Sequence, residues 1–145
     1  MLIVYANVQA SAWKVCKFDV LTVLDKSASF SCASLDFAES LEKNGSKIIK
    51  ERTRRAHPIA AKGAQMEIAF DILLDVTIRS FLDIAFPSVR VSIIPGLRAE
   101  LILGCDSLQN HTLQIRRNSA LMMVDQYNLR AKVTQLCWRC WKLVL

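Results

Sequence analysis

The sequence predicts an all-β protein, folded as a barrel or a sandwich. Several short segments are rich in β-branched and large apolar residues, turn residues separate them, and at most two short segments have helical spacing. Hydrophobic residues make up 52% of the chain, with only 4 Gly and 3 Pro, so the chain can bury a core. Its 145 residues correspond to one domain, or to one domain with a tail, which excludes a two-lobed enzyme built from one chain.

The first predicted strand covers residues 15–24, VCKFDVLTVL, in which apolar and polar residues partly alternate. A run of small polar residues follows, and residues 35–41 then have the apolar spacing of a short helix. Ser34 is the expected N-cap of this helix. Asn44 and Gly45 are expected to end it, because glycine readily adopts the left-handed conformation that closes helices.

A basic segment, residues 43–62, comes next. It holds seven Lys or Arg residues and one acid, Glu51, so we expect an exposed, solvated connection. Contact with nucleic-acid phosphates is the alternative. The segment has no interleaved aromatic residues for base stacking, so nucleic acid is not the expected partner.

Residues 65–94 form a second strand-rich block, which turn residues near positions 79 and 87 are expected to break into antiparallel strands. Pro95 and Gly96 mark a turn. A short apolar strand over residues 100–104 follows and ends on a glycine, and a short helix is expected after it.

Two further strands, at residues 113–116 and 120–124, are expected to close the compact part of the chain. We therefore place one domain at residues 13–124 and a basic, apolar tail without an evident partner at residues 125–145. This tail is expected either to form an apolar strand or to extend unpacked.

No membrane or secretion signal is found. The uncharged stretch 1–13 is shorter than the roughly 18 apolar residues of a spanning helix and has no basic residues before its apolar part. The five Cys are odd in number and scattered, so we expect an intracellular chain with reduced thiols. Cys137 and Cys140 form one CxxC pair without a second, so neither a metal nor another cofactor is predicted.

Two motifs resemble those of a known family. The first is VLDKSAS at residues 23–29, which resembles the apolar-apolar-Asp-Thr/Ser-Gly-Ala-Ser segment of retropepsins, the aspartic proteases of retroviruses and retrotransposons. The second runs from Ile94 through Gly104 to Leu108 and is similar to the apolar-apolar-Gly segment of the family and the helix after it. The resemblance covers residues 13–124 and implies a closed retropepsin-like barrel with one or two short helices.

The resemblance implies peptide-bond hydrolysis by two aspartates that share a proton, since two carboxylates about 3 Å apart cannot both ionise. The chain offers one such residue, Asp25, so a homodimer acting on a peptide or polyprotein substrate is implied. Gly63 would lie at the tip of a flap over the substrate. Leu103 and Gly104 would back the active-site turn.

Ala28 and Ser29 match the family motif, but two residues depart from it. Lys26 stands where the family has Thr or Ser, and two ammonium groups near a dimer axis would repel each other. Ser27 stands where the family has Gly, and its side chain would crowd a tight turn. Asp106 is expected to be a solvated or capping residue of the following helix, not a second catalytic carboxylate.

Two functions stay open at this point. One is an aspartic endopeptidase of retrotransposon origin with weakened or lost activity. The other is an inactive retropepsin-fold protein that binds peptides or dimerises.

Overall fold

Nine strands and two helices lie in the part of the chain that the structure describes. The structure is a computed structural model and describes residues 2–56, 58, 63, 65–79, 83–109, 111–116, 119–124 and 129–133. The elements are β1 Leu2–Ala10, β2 Trp13–Leu24, β3 Cys32–Ser34, α1 Leu35–Lys43, β4 Phe70–Ile78, β5 Ile84–Ile94, β6 Leu101–Leu103, α2 Cys105–Leu108, β7 His111–Arg116, β8 Ser119–Val124 and β9 Leu129–Val133. Neither helix is long and apolar enough to cross a membrane.

Six strands close into a barrel in the order β1-β2-β6-β3-β5-β4. β2 pairs parallel with β6, and β3 pairs parallel with β5, while the other neighbours are antiparallel. The predicted all-β class is therefore confirmed, as are the strand after residue 15 and the short strand before Gly104. The break expected near residue 79 is also present, since β4 ends at Ile78 and β5 begins at Ile84.

β1 precedes the range 13–124 in which the sequence placed the domain. Residues 4, 6, 8 and 10 of β1 are buried, whereas residues 5, 7 and 9 are more exposed. This period of two is the pattern of a strand that turns one face to a core. The barrel therefore begins before the expected range.

The barrel encloses one main core of aliphatic side chains, and α1 packs against it through Phe37, Ala38 and Leu41. The predicted start of α1 is confirmed, because the Phe37 N–H donates to Ser34 Oγ at 3.1 Å. Its predicted end is confirmed as well, with Gly45 at φ 90° directly after the helix.

The strand break expected near residue 87 is wrong. β5 continues through this point, and its register with β4 shifts between Leu74 and Val76, so that Pro87 and Ser88 both lie opposite Asp75. A bulge tolerates proline because it needs no ladder hydrogen bond there. Ser88 adopts φ 50°, and its N–H donates to Asp75 Oδ1 at 2.9 Å. The bulge thus absorbs the turn residues within a single strand.

β7, β8 and β9 form a second, antiparallel sheet. The two predicted strands at residues 113–116 and 120–124 are present, and in the described chain β8 lies between β7 and β9. β9 falls in the segment 125–145, where no partner was expected. Its sequence LRAKV alternates apolar and basic residues, a strand pattern that identifies it in retrospect. Cys137 and Cys140 lie outside the described residues.

Candidate active site

The two sequence motifs meet at one edge of the barrel. β2 and β6 end at this edge because they pair in parallel, with Leu24 opposite Leu103. Asp25 follows β2 and Gly104 follows β6. The Asp25 N–H donates to Leu103 O at 3.0 Å, which extends the strand pairing by one hydrogen bond. The turn that begins at Asp25 therefore lies directly against the glycine.

Gly104 packs so closely against this turn that no residue with a side chain would fit at position 104. A Cβ added at Gly104 would lie 2.5 Å from Phe30 O and 2.8 Å from Ala28 O, both backbone atoms that cannot swing aside. The Gly104 φ of −98° is open to all residues, so the requirement for glycine is one of space. The close approach also lets the Cys105 N–H donate to Ala28 O at 2.7 Å, which ties α2 to the turn.

The Asp25 carboxylate is half-buried and is held by its own turn. Oδ1 accepts hydrogen bonds from the Ser27 N–H at 2.9 Å and from Ser27 Oγ at 2.5 Å. Ser27, whose side chain was expected to crowd the turn, does not have a positive φ, and its hydroxyl donates to Asp25. Oδ2 has no hydrogen bond to any described residue.

The other residues predicted for the site differ in their surroundings. Lys26 and Ser29 are exposed, Ala28 is partly buried, and Lys26 forms no ion pair with any residue that the structure describes. Gly63 is exposed with φ 81°, and a hydrogen bond from the Met66 N–H to Pro58 O closes the loop that contains it. A Cβ added at Gly63 would meet no described atom within 4 Å.

Ser31 is a buried link that sequence reasoning did not single out. Its hydroxyl donates to Asp106 Oδ1 at 2.7 Å, accepts from the Gly104 N–H at 3.1 Å and lies 3.0 Å from Ser107 Oγ. Ser31 therefore connects the end of the turn to the start of α2. Nothing in the residue type distinguishes Ser31 from the other serines of this stretch.

Arg55 reaches from the basic segment into the same region. Its guanidinium contacts Asp106 Oδ2 at 3.0 Å, Ser31 O at 3.1 Å and Ser92 Oγ at 3.1 Å, and lies over the Phe30 ring at 4.8 Å. The expectation of a solvated loop is therefore wrong at Arg55. Asp106 is exposed, as expected, but its carboxylate also accepts hydrogen bonds from Ser31 Oγ and from the Arg55 guanidinium.

The buried Asp71 carboxylate, which lies near Arg55, contacts a second group of polar side chains. Ser92 Oγ donates to Asp71 Oδ1 at 2.8 Å, and Asp71 is only 1% exposed. Arg90 Nη1 lies 3.6 Å from Asp71 Oδ2 and 2.8 Å from Glu51 Oε2. The hydrogen bond to Glu51 holds the pKa of Arg90 above its ordinary value.

The described cysteines, Cys16, Cys32 and Cys105, are all free thiols. Burial raises the pKa of Cys32 from 9.0 to about 12, and the Asp106 carboxylate adds to the rise while Arg55 opposes it. Cys105 is exposed. Among the residues with described side chains, no group of three or more His, Cys, Asp or Glu is placed to hold a metal ion.

The closed barrel, with the motif turn packed on a glycine that follows β6, defines a retropepsin-like all-β fold. Among solved structures, the chain is similar to the retroviral protease-like domain of Ddi1 from Leishmania major, with a TM-score of 0.52 and 20% identity over 94% of this chain and 96% of that one. The expected fold is thus confirmed. No family model and no curated protein matches the chain.

Replacing Gly104 should test the packing of the turn. We expect Gly104→Ala to lower the free energy of unfolding by at least about 2 kcal/mol, because backbone carbonyls must move to admit the Cβ. Gly45→Ala is the matched control, since it has open space but φ 90° and should cost about 1 kcal/mol. Denaturant unfolding of both variants measures the difference. Equal losses would contradict a steric role for Gly104.

Thiol labelling should separate the cysteines. At about pH 8.5 we expect iodoacetamide to modify Cys105 readily and Cys32 hardly at all, because only the thiolate reacts and Cys32 stays protonated. Unfolding returns Cys32 to its ordinary pKa, so this thiol favours the folded state below pH 9.0 and loses that effect as the pH rises toward 12. Peptide-resolved mass spectrometry reads out each site. Labelling of Cys32 at the rate of Cys105 would disprove its burial.

Proposed function

We propose that the chain is an aspartic endopeptidase-like domain of the retroviral or retrotransposon type, in which two copies each supply one Asp25 to a shared active site. The observation that carries this proposal is the position of Asp25. It stands at the end of β2, in a turn fixed by Gly104, with one carboxylate oxygen bonded to the turn and the other without a hydrogen bond from the described chain.

A second copy is required because one chain offers one suitable carboxylate. Asp106 is the nearest alternative in the two motifs, but Arg55 and Ser31 already occupy its two oxygens. Two Asp25 carboxylates about 3 Å apart would share one proton. One of them then activates water while the protonated partner polarises the scissile carbonyl.

The substrate is proposed to be a peptide or polyprotein segment, bound between the dimer and a flap that includes Gly63. Gly63 has no side chain and a φ of 81°, and both properties suit a loop tip that approaches a peptide backbone. The proposed mechanism needs no metal or other cofactor, since the carboxylates supply both acid and base.

Asp25→Asn tests the proposal directly. An amide is nearly isosteric but cannot share the proton, so we expect peptide cleavage by the concentrated protein at acid pH to fall about 100-fold or more. Asp36→Asn, at an exposed carboxylate of α1, is the control and should cleave like the parent. Cleavage products are followed by mass spectrometry, and sedimentation measures the dimer. A parent that forms dimers yet shows no turnover from acid to neutral pH would reject the proposal.

A second candidate function is a non-catalytic module that binds peptides or dimerises, and Lys26 and Ser27 favour it. The Ser27 hydroxyl donates to Asp25 Oδ1 at 2.5 Å and so engages one carboxylate oxygen within its own turn. In a dimer, two Lys26 side chains near the axis would also repel each other.

Restoring the family residues separates the two candidates. If the second is correct, Lys26→Thr combined with Ser27→Gly should create cleavage, at least about tenfold above the parent, because it removes the cation and the extra hydrogen bond. Lys43→Thr combined with Ser40→Gly, on exposed positions of α1, is the matched control. The same peptide assay applies. If the parent already cleaves as fast as the restored variant, the non-catalytic candidate is wrong.

A further inference from the structure

A cavity of about 950 Å³ lies beside the polar contacts of Arg55. We call it the arginine cavity; residues 51–55, Asp71 and Arg90 line it. Among the described residues, its lining contains four arginines and two acids, a surplus of positive charge in a concave surface. Concave surfaces of one charge concentrate ligands of the opposite charge.

Two of the four arginines account for the surplus of positive charge. Arg90 is paired with the two acids of the cavity, and Arg55 is paired with Asp106. Arg52 and Arg54 are exposed and form no ion pair with any described residue. Within the described chain, the cavity therefore presents two guanidinium groups that are available to bind an anion.

These two arginines lie on a segment that is fixed on both sides. Before them, Glu51 and Asp71 exchange two backbone hydrogen bonds of 2.9 and 2.8 Å. After them, the Arg55 side chain is held by Asp106, Ser31 and Ser92. A fixed backbone lowers the entropy lost when a ligand binds.

The cavity also holds a buried acceptor without a hydrogen bond. Asp71 Oδ2 has none in the described chain, and Arg90 at 3.6 Å is too distant to supply one. A ligand that suits this cavity carries carboxylates for the arginines together with N–H donors. An acidic peptide has both.

Nucleic acid fits the same surface less well. Its phosphates offer acceptors but no donors for Asp71 Oδ2. The described lining also contains no aromatic side chain on which a base could stack.

We infer that the arginine cavity binds an acidic peptide segment, with Arg52 and Arg54 forming ion pairs to its carboxylates. The inference goes beyond the proposed function and does not require Asp25 to be catalytic. Because Arg55 touches both the cavity and Phe30 of the turn, such a segment would lie next to the candidate active site.

Binding should be measured with the full chain carrying Asp25→Asn, so that any cleavage is removed and failure of the proposed function does not affect the result. The probe is a fluorescein-labelled peptide of about eight residues that alternates glutamate and serine, roughly 26 Å long when extended. We expect it to bind about tenfold or more tightly than the same peptide with glutamine, with affinity that falls as salt is added.

Arg52→Gln combined with Arg54→Gln should weaken binding of the glutamate peptide about tenfold. Lys17→Gln combined with Lys43→Gln removes the same charge from exposed residues elsewhere and should leave the affinity unchanged. Thermal unfolding verifies that both variants fold. Equal binding of the glutamate and glutamine peptides, equal losses in the two variants, or tighter binding of a single-stranded oligonucleotide of similar length would each overturn the inference.

Discussion

The candidate site depends on one steric constraint, the absence of a side chain at residue 104. The Cα of this glycine lies so close to the carbonyls of Ala28 and Phe30 that no Cβ fits between them. That approach sets the position of α2 relative to the turn and permits the hydrogen bonds of the Cys105 N–H and the Gly104 N–H. The placement of Asp25 follows, because its own N–H is bonded to the strand that leads into the glycine.

Local patterns were sufficient to predict the elements that build this edge of the barrel. β2 shows β-branched alternation, Ser34 is a side-chain cap, and the apolar run of β6 ends on glycine; each of these signals depends on near neighbours in sequence. The contact of the Asp25 turn with Leu103 and Gly104 is not local, since about 80 residues separate the two segments. Only the resemblance of the two motifs to a family implied that Leu103 and Gly104 back this turn.

Features that depend on the tertiary environment were not predictable from residue types. Arg55 is one of several basic residues in its segment, and only the folded chain distinguishes it by placing Asp106, Ser31 and the Phe30 ring around its guanidinium. The bulge in β5 was missed for a related reason. Proline followed by serine ordinarily signals a turn, but the paired strand and the Asp75 carboxylate stabilise a two-residue bulge instead. In β9, by contrast, the alternation of apolar and basic residues is visible in the sequence.

Lys26 and Ser27, which differ from the residues of the retropepsin motif that this turn resembles, act at different levels of structure. Ser27 acts within one chain, where its hydroxyl satisfies Asp25 Oδ1 without forcing a positive φ, so the turn keeps its form. Lys26 is exposed and without an ion pair in the described chain, so its charge costs little until a second copy brings another ammonium group near. The folded chain therefore accommodates both residues at little cost. In the dimer that we propose, the main physical obstacle to a shared Asp25 pair would be the approach of two Lys26 ammonium groups, not the fold of one chain.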